Sequence, residues 1–258
     1  MLASEKKMAD TDRKVHLKIL RQDTPASRPY WDEFEVDYSP GMNVISCLMA
    51  IQRNPVNRKG ERVRPVVWEC NCLEEVCGAC SMVINGTPRQ ACSCLVDKVT
   101  QPIELRPLSK FPVLRDLMVD RQAMFDAFKK VKAWVEIDGT HDLGPGPQMP
   151  QHEQEKLYPL TRCMVCGCCM EACPQYDSLR KPFIGPATLN QAHRFNVDRT
   201  GKMTKEERLR AVMEKGGIQD CGNAQNCVRV CPKEIPITDS IAELGRETTK
   251  LLLKDIFG

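Results

Sequence analysis

Sulfur limits what this chain can become: 15 of its 258 residues are cysteine, and most of them fall in three short runs. An odd count cannot be fully paired within one chain, and tight runs are not the scatter of a disulfide framework. The opening residues include Glu5, Lys6, Lys7, Asp10 and Asp12, which is not the pattern of a secretory leader. Residues 1–14 therefore read as an N-terminal tail, and metal binding, not cross-linking, is the expected use of the thiols.

The first run is Cys72, Cys77, Cys80 and Cys92, spaced C-x4-C-x2-C-x11-C. Three thiolates on one tight loop and a fourth beyond a hairpin is the plant-type 2Fe-2S spacing. Gly78 and Ala79 are small enough to let backbone amides approach cluster sulfurs. A zinc site more often presents paired C-x2-C units, whereas the first gap here is four residues. The second run, Cys163, Cys166, Cys169 and Cys173-Pro174, is the bacterial ferredoxin run C-x2-C-x2-C-x3-C-P. In two-cluster ferredoxins the fourth Cys of such a run serves the other cluster. The third run, Cys221, Cys227 and Cys231-Pro232, repeats the template with Ala224 at the second ligand position.

Cross-assignment makes the two sites unequal. Cys163, Cys166, Cys169 and Cys231 form a complete set for a 4Fe-4S cluster, but Cys173, Cys221 and Cys227 supply only three thiolates. Ala224 has no atom that can hold iron. Loss of that corner, giving a 3Fe-4S cluster, is favoured, and a 4Fe-4S cluster with one open iron is the alternative. The runs use eleven cysteines, and Cys47, Cys70, Cys94 and Cys168 read as buried small hydrophobes. None of His16, His141, His152 and His193 lies in a ligand run, which excludes a Rieske centre.

Otherwise the composition is that of an ordinary globular chain, 42% hydrophobic and 28% charged, with a formal charge of +3. So small a charge leaves no footprint for nucleic acid, and no apolar run reaches the roughly 18 residues that span a membrane. Residues 15–120 read as one α+β domain. Strands are expected at Val15 to Ile19, Phe34 to Tyr38, Val66 to Glu69, Ser81 to Ile84 and Ile103 to Arg106, with a helix capped by Asn43 and a hairpin turn at Asn85-Gly86. Helical spacing then runs from Val113 to Val131. Gly144-Pro145-Gly146-Pro147 reads as a loop, and residues 121–258 as a helical domain with helices at Lys205 to Lys215 and Asp239 to Phe257. No dinucleotide fingerprint, phosphate loop, Ser/His/Asp order or H-E-x-x-H is present. With no visible site for an organic substrate, unlike clusters in two domains read as a relay of single electrons between partners.

The order of plant-type run, helical linker, bacterial run, Phe183-Ile184-Gly185-Pro186-Ala187 and a third run lacking one Cys resembles the iron-sulfur subunit of succinate dehydrogenase and fumarate reductase. The resemblance implies an N-terminal plant ferredoxin-like β-grasp and a C-terminal all-helical bacterial-ferredoxin-like domain. It implies an electron path from covalent FAD in a flavoprotein subunit, through 2Fe-2S, 4Fe-4S and 3Fe-4S clusters, to a quinone at membrane-anchor subunits, where haem b is a further candidate. It also implies a peripheral position on the cytoplasmic face of the cell inner membrane. Ubiquinone-reducing members place a Trp a few residues after the Cys-Pro and a His directly after the first Cys of the third run. Here Gln175, Tyr176, Asp177 and Ser178 follow Pro174, and Gly222 follows Cys221. The segment from Cys221 to Cys227 is similar to menaquinone-linked bacterial members, so menaquinone is the expected quinone and Pro174 the candidate residue beside it. The plainer role for Pro174 is to end the cysteine turn.

Leu251, Leu252, Leu253, Ile256 and Phe257 are expected in the core, and Arg53, Arg58, Lys59, Arg62 and Arg64 on a solvated loop. The competing functions are a fumarate reductase subunit running in reverse, a relay in a heterodisulfide-reductase-like or glycolate-oxidase-like complex, and a zinc-stabilised interaction module. The relay relatives generally lack the plant-type run, which is complete here.

Overall fold

A computed structural model describes residues 13–136 and 147–258. Most of the expected tail, the Gly144-Pro145-Gly146 loop and His141 lie outside the described residues. The chain divides into two compact units, one ending at Asp120 and the other beginning at Arg121.

In the first unit, β1 (Lys14–Arg21) pairs antiparallel with β2 (Tyr30–Asp37), Lys14 facing Asp37 and Arg21 facing Tyr30. On its other side β1 runs parallel to β5 (Ile103–Arg106), with Leu17 opposite Ile103. β5 in turn pairs antiparallel with β3 (Ser81–Ile84), which makes a hairpin with β4 (Thr87–Gln90), giving the order β2-β1-β5-β3-β4. The period-2 pattern of β1 turns Val15, Leu17 and Ile19 inward, where they meet Phe34, Ile103 and Leu105. Helix α1 (Val44–Arg53) brings Val44, Ile45, Leu48 and Ile51 into the same core. Its start is fixed by a capping box in which the Asn43 side chain accepts from the Ser46 N–H and Ser46 answers the Asn43 N–H. Asn85 and Gly86, at φ 47° and 78°, make the two-residue turn whose twist suits a hairpin. A mixed sheet carrying one helix is the β-grasp arrangement expected for this unit.

Two local expectations fail, for one reason. No strand forms at Val66 to Glu69, and the segment after Val113 is not helical but makes a small ribbon of β6 (Val113–Arg115) and β7 (Met118–Val119) before α2 (Gln122–Lys130) begins. Asp116, fully buried at φ 46°, holds both segments. Its carboxylate accepts from Arg21 Nε and Nη2 at 3.1 Å, from the Gln22 N–H at 3.1 Å and from the Val67 N–H at 2.9 Å. The Leu117 N–H donates to the Val67 carbonyl at 3.1 Å. A helix through this segment would forfeit the left-handed turn that aims Asp116 at the buried guanidinium of Arg21, and a buried charge must be paired.

The second unit contains α2, α3 (Gln151–Thr161), α4 (Cys168–Glu171), α5 (Pro186–Val197), α6 (Lys205–Met213), α7 (Asn226–Arg229) and α8 (Ile237–Phe257), with no strand among its described residues. Helix α5 is its centre: every residue from Pro186 to Ala192 is buried, against α2, α3, α6 and α8. Arg208 on α6 is also fully buried, and donates to the carbonyls of Lys132 and Gly201 and to Asn196 Oδ1 and Thr204 Oγ1 at 2.7–3.2 Å. In α8 the inward stripe is Leu244, Thr248 and Leu251. Leu252, Leu253, Ile256 and Phe257 lie off that stripe and are exposed, which corrects their assignment to the core. The basic residues from Arg53 to Arg64 are exposed, and Arg58 pairs with Glu33 and Glu35 of β2.

Candidate metal centres

In the first unit the cysteine loop lies between α1 and the β3–β4 hairpin. Cys80 enters β3 and Cys92 leaves β4, and the Ala91 N–H donates to the Cys80 carbonyl at 3.1 Å. Asn43, the cap of α1, also donates from Nδ2 to the Cys92 carbonyl at 2.8 Å, so the helix start is tied to the hairpin. Leu73 and Glu75 both hold left-handed backbone, at φ 61° and 55°. Such an alternation turns successive N–H groups toward one point, forming an anion-binding nest. The N–H groups of Glu74, Val76 and Cys77 converge on Cys72 Sγ at 3.3–3.4 Å. They hold the Cys72 thiol down to about 7, while burial pushes Cys80 up to about 12. Cys80 Sγ faces Gln90 Oε1 at 3.4 Å, and Gln90 Nε2 donates to Ser81 Oγ at 2.8 Å.

In the second unit two cavities open around the remaining runs. One is walled by Cys163, Cys166, Cys169 and Cys231. The other is walled by Cys173, Cys221 and Cys227, with Ala224 beside them. Each set thus draws one cysteine from the other run. The two loops are built alike: Val165 and Gly167, at φ 54° and 86°, flank Cys166, and Asn223 and Gln225, at φ 50° and 59°, flank Ala224. A one-turn helix follows each loop, α4 carrying Cys169 and α7 carrying Cys227. Asn226 Nδ2 donates to the Ala172 carbonyl at 3.0 Å and links the two turns.

Burial and the surrounding sulfurs of Cys166, Cys163, Cys231 and Cys227 raise the Cys169 thiol well above its usual range. Cys166 is instead drawn down to about 7, first by a hydrogen bond from Cys168, with Arg121 contributing. Crowded buried thiols resist ionisation until a cation neutralises them, and bound iron reverses that balance. Among the described residues no three His, Cys, Asp or Glu groups converge tightly enough for one metal ion. Sulfurs spread around a cavity suit a core of several atoms better than a single zinc ion with ligands about 2.3 Å away. The donor sets and nests therefore fit iron-sulfur clusters.

Cys47, Cys94 and Cys168 are buried, but Cys70 is exposed, which corrects its expected burial; it sits on the turn that leads into the first loop, where no core reaches it. The α5 wall was only partly visible in the sequence. Pro186 lines the three-cysteine cavity, and Ala187 with Asn190 lines the other. Gly185 explains the preceding glycine: at φ 85° it lies against Met170 and Tyr176, and a Cβ there would stand 2.4 Å from Met170 Sδ. Asn190 carries no spacing signal that could have singled it out. Pro174 lines the three-cysteine cavity with Gln175 and Gly222, and a Cβ on Gly222 would stand 2.7 Å from Gln175 Nε2.

Residues 16–126 match the family described as 2Fe-2S iron-sulfur cluster binding domain, and residues 159–235 the family described as 4Fe-4S dicluster domain. The chain is 58% identical over 244 residues to the succinate dehydrogenase iron-sulfur subunit of Bacillus subtilis, covering 95% of this chain and 96% of that one. It is 30% identical over 241 residues to the fumarate reductase iron-sulfur subunit of Wolinella succinogenes, covering 91% and 97%. A chain of the Mycobacterium smegmatis Sdh1 complex in the apo form shares the fold, with TM-score 0.75 and 22% identity over 92% of this chain and 96% of that chain.

Proposed function

This chain belongs to the family of succinate dehydrogenase and fumarate reductase iron-sulfur subunits, and on that premise we propose how its residues relay electrons within complex II. Cys72, Cys77, Cys80 and Cys92 would hold a 2Fe-2S cluster, Cys163, Cys166, Cys169 and Cys231 a 4Fe-4S cluster, and Cys173, Cys221 and Cys227 a 3Fe-4S cluster, since Ala224 offers no fourth ligand. The bound clusters would supply one-electron carriers between a flavoprotein subunit and a quinone at the membrane anchor. The nests stabilise negative charge on the sulfurs, and Gln90 and Asn190 set the polarity around two of the sites.

The observation that carries this proposal is the crossing of ligands, with Cys231 beside the second run and Cys173 beside the third. Menaquinone is the proposed acceptor, and Pro174 the residue beside it. The absence of a His after Cys221, where Gly222 stands beside the Gln175 side chain, supports this. The proposed position is peripheral on the cytoplasmic face of the inner membrane, beside an anchor in which haem b is a candidate; no described helix is long and apolar enough to cross a membrane. The test is an anaerobic reductive titration followed by EPR, with one signal expected in the oxidised protein and two appearing on reduction. Far fewer than about nine iron atoms per chain after reconstitution would overturn the assignment.

A further inference from the structure

We propose that Asn190 on α5 raises the reduction potential of the four-thiolate site by donating a hydrogen bond from Nδ2 to a sulfur there, with Ser240 on α8 as its positioning residue. The inference rests on the 4Fe-4S assignment above and names what tunes that carrier. Asn190 is 1% exposed and stands inside α5, where asparagine is a weak helix former and no helix end needs a cap. Its oxygen is engaged, because Ser240 Oγ donates to Oδ1 at 2.9 Å. With the oxygen held on that side, Nδ2 takes the other.

Nδ2 is buried, and nothing among the described residues accepts from it. A buried donor without an acceptor is costly, and such groups persist where a bound group supplies one. Asn190 borders the cavity walled by Cys163, Cys166, Cys169 and Cys231, and the rest of that wall is mostly apolar, with Ala187, Ile235 and Ile237 in it. The sulfurs of that site are the charged acceptors this wall faces. The next residue repeats the device: Arg194 Nη1 donates to Gln191 Oε1 at 3.1 Å, and the Gln191 side chain hydrogen-bonds the Cys163 thiol. An added electron makes the sulfurs more negative and such bonds stronger, so a donor favours the reduced form. Four thiolates among apolar side chains push the potential the other way, since burial disfavours added negative charge. Asn190 offsets that push and keeps the site reducible.

The test is a redox titration of the whole complex followed by EPR. Asn190→Leu keeps the shape and removes the donor. The reduction equilibrium of the four-thiolate site should move about tenfold toward the oxidised form, about 59 mV for one electron, with iron content and the other two potentials unchanged. Ser240→Ala lets the amide turn and should lower the same potential by a smaller amount, and Ser240→Thr, which keeps the hydroxyl, should restore it. An unchanged potential in Asn190→Leu with full iron, or equal shifts at all three sites, overturns the proposal. Should Asn190→Leu lose its cluster, Ser240→Ala against Ser240→Thr decides, and equal potentials in the two refute the role of the amide. Failure of the 4Fe-4S assignment itself reads out differently, as absence of that signal from the unmodified complex.

Discussion

Replacing Ala224 by Cys should add one iron atom to the chain. The two ferredoxin-type loops place their third residue after the first Cys in the same backbone setting: Cys166 between left-handed Val165 and Gly167, Ala224 between left-handed Asn223 and Gln225. The two positions differ in the missing sulfur and in exposure, Cys166 being buried and Ala224 open to solvent. Ala224 is exposed, so the substitution should alter stability by no more than about 0.5 kcal/mol. Iron should rise from about nine to about ten atoms per chain while acid-labile sulfide stays at about ten, since a cube missing one corner already has its full set of sulfides. The EPR signal of the oxidised protein should disappear and a new one appear on reduction. The extra thiolate adds negative charge and should lower the potential of that site, slowing delivery of electrons to the quinone. Iron that stays at about nine, with the oxidised signal intact and the new thiol open to alkylation, would refute the geometric equivalence of the two loops.

Exchange of ligands between runs is checked by Cys231→Ser and Cys173→Ser: the first should abolish the signal of the four-thiolate site and the second that of the three-thiolate site, with assignment by run predicting the reverse. Asp116→Ala should cost about 3–5 kcal/mol, because it leaves Arg21 buried with its main counter-charge gone, and this is read as a lower Tm of the cluster-loaded protein. Burial lowers the pKa of His193 below 6.5, opposed by Glu247 and Glu243, so the unfolded chain binds the proton first as pH falls. Stability should therefore decline as pH drops from 6.5 toward the folded-state value and level off below it, and His193→Gln should remove that part of the slope in thermal melts across pH.

The parts of the fold that were legible in sequence are those whose residues answer to local rules. Asn43 and Ser46 spell a capping box, Asn85-Gly86 spells a hairpin, and the alternation in β1 and β2 records a sheet with one face in the core. Cysteine spacing encodes which sulfurs share a loop, because a turn of two or four residues allows only a few geometries. The segment from Val113 to Leu117 was misread because its decisive contact, Asp116 with Arg21, joins residues far apart in sequence. Hydrophobic spacing there imitates a helix, and nothing local reveals that a buried cation waits for the carboxylate. The exposed end of α8 was misread for a related reason: an apolar composition does not say which face meets the body. Asn190 belongs to the same class, set in the cavity wall by the packing of α5 and not by any motif.

Exposure also orders the relay. In the second run Cys166, Gly167, Cys168, Cys169 and Met170 are all buried, so that loop presents little surface to an outside partner. The other two loops are open, and their surfaces differ in kind. The first exposes Leu73 and Val76 beside Glu74, and the third exposes Gly222, Asn223, Ala224 and Gln225, which carry no charge. A charged, apolar tip suits a folded protein with a complementary pocket, whereas a neutral rim of amides beside Pro174 suits a small uncharged acceptor that needs hydrogen-bond donors. A chain that must take electrons at one end and surrender them at the other has reason to shield its middle carrier, where an open edge would leak electrons to solvent oxidants. On this argument the shielded four-thiolate site is the intermediate carrier, and the open loops are where electrons enter and leave.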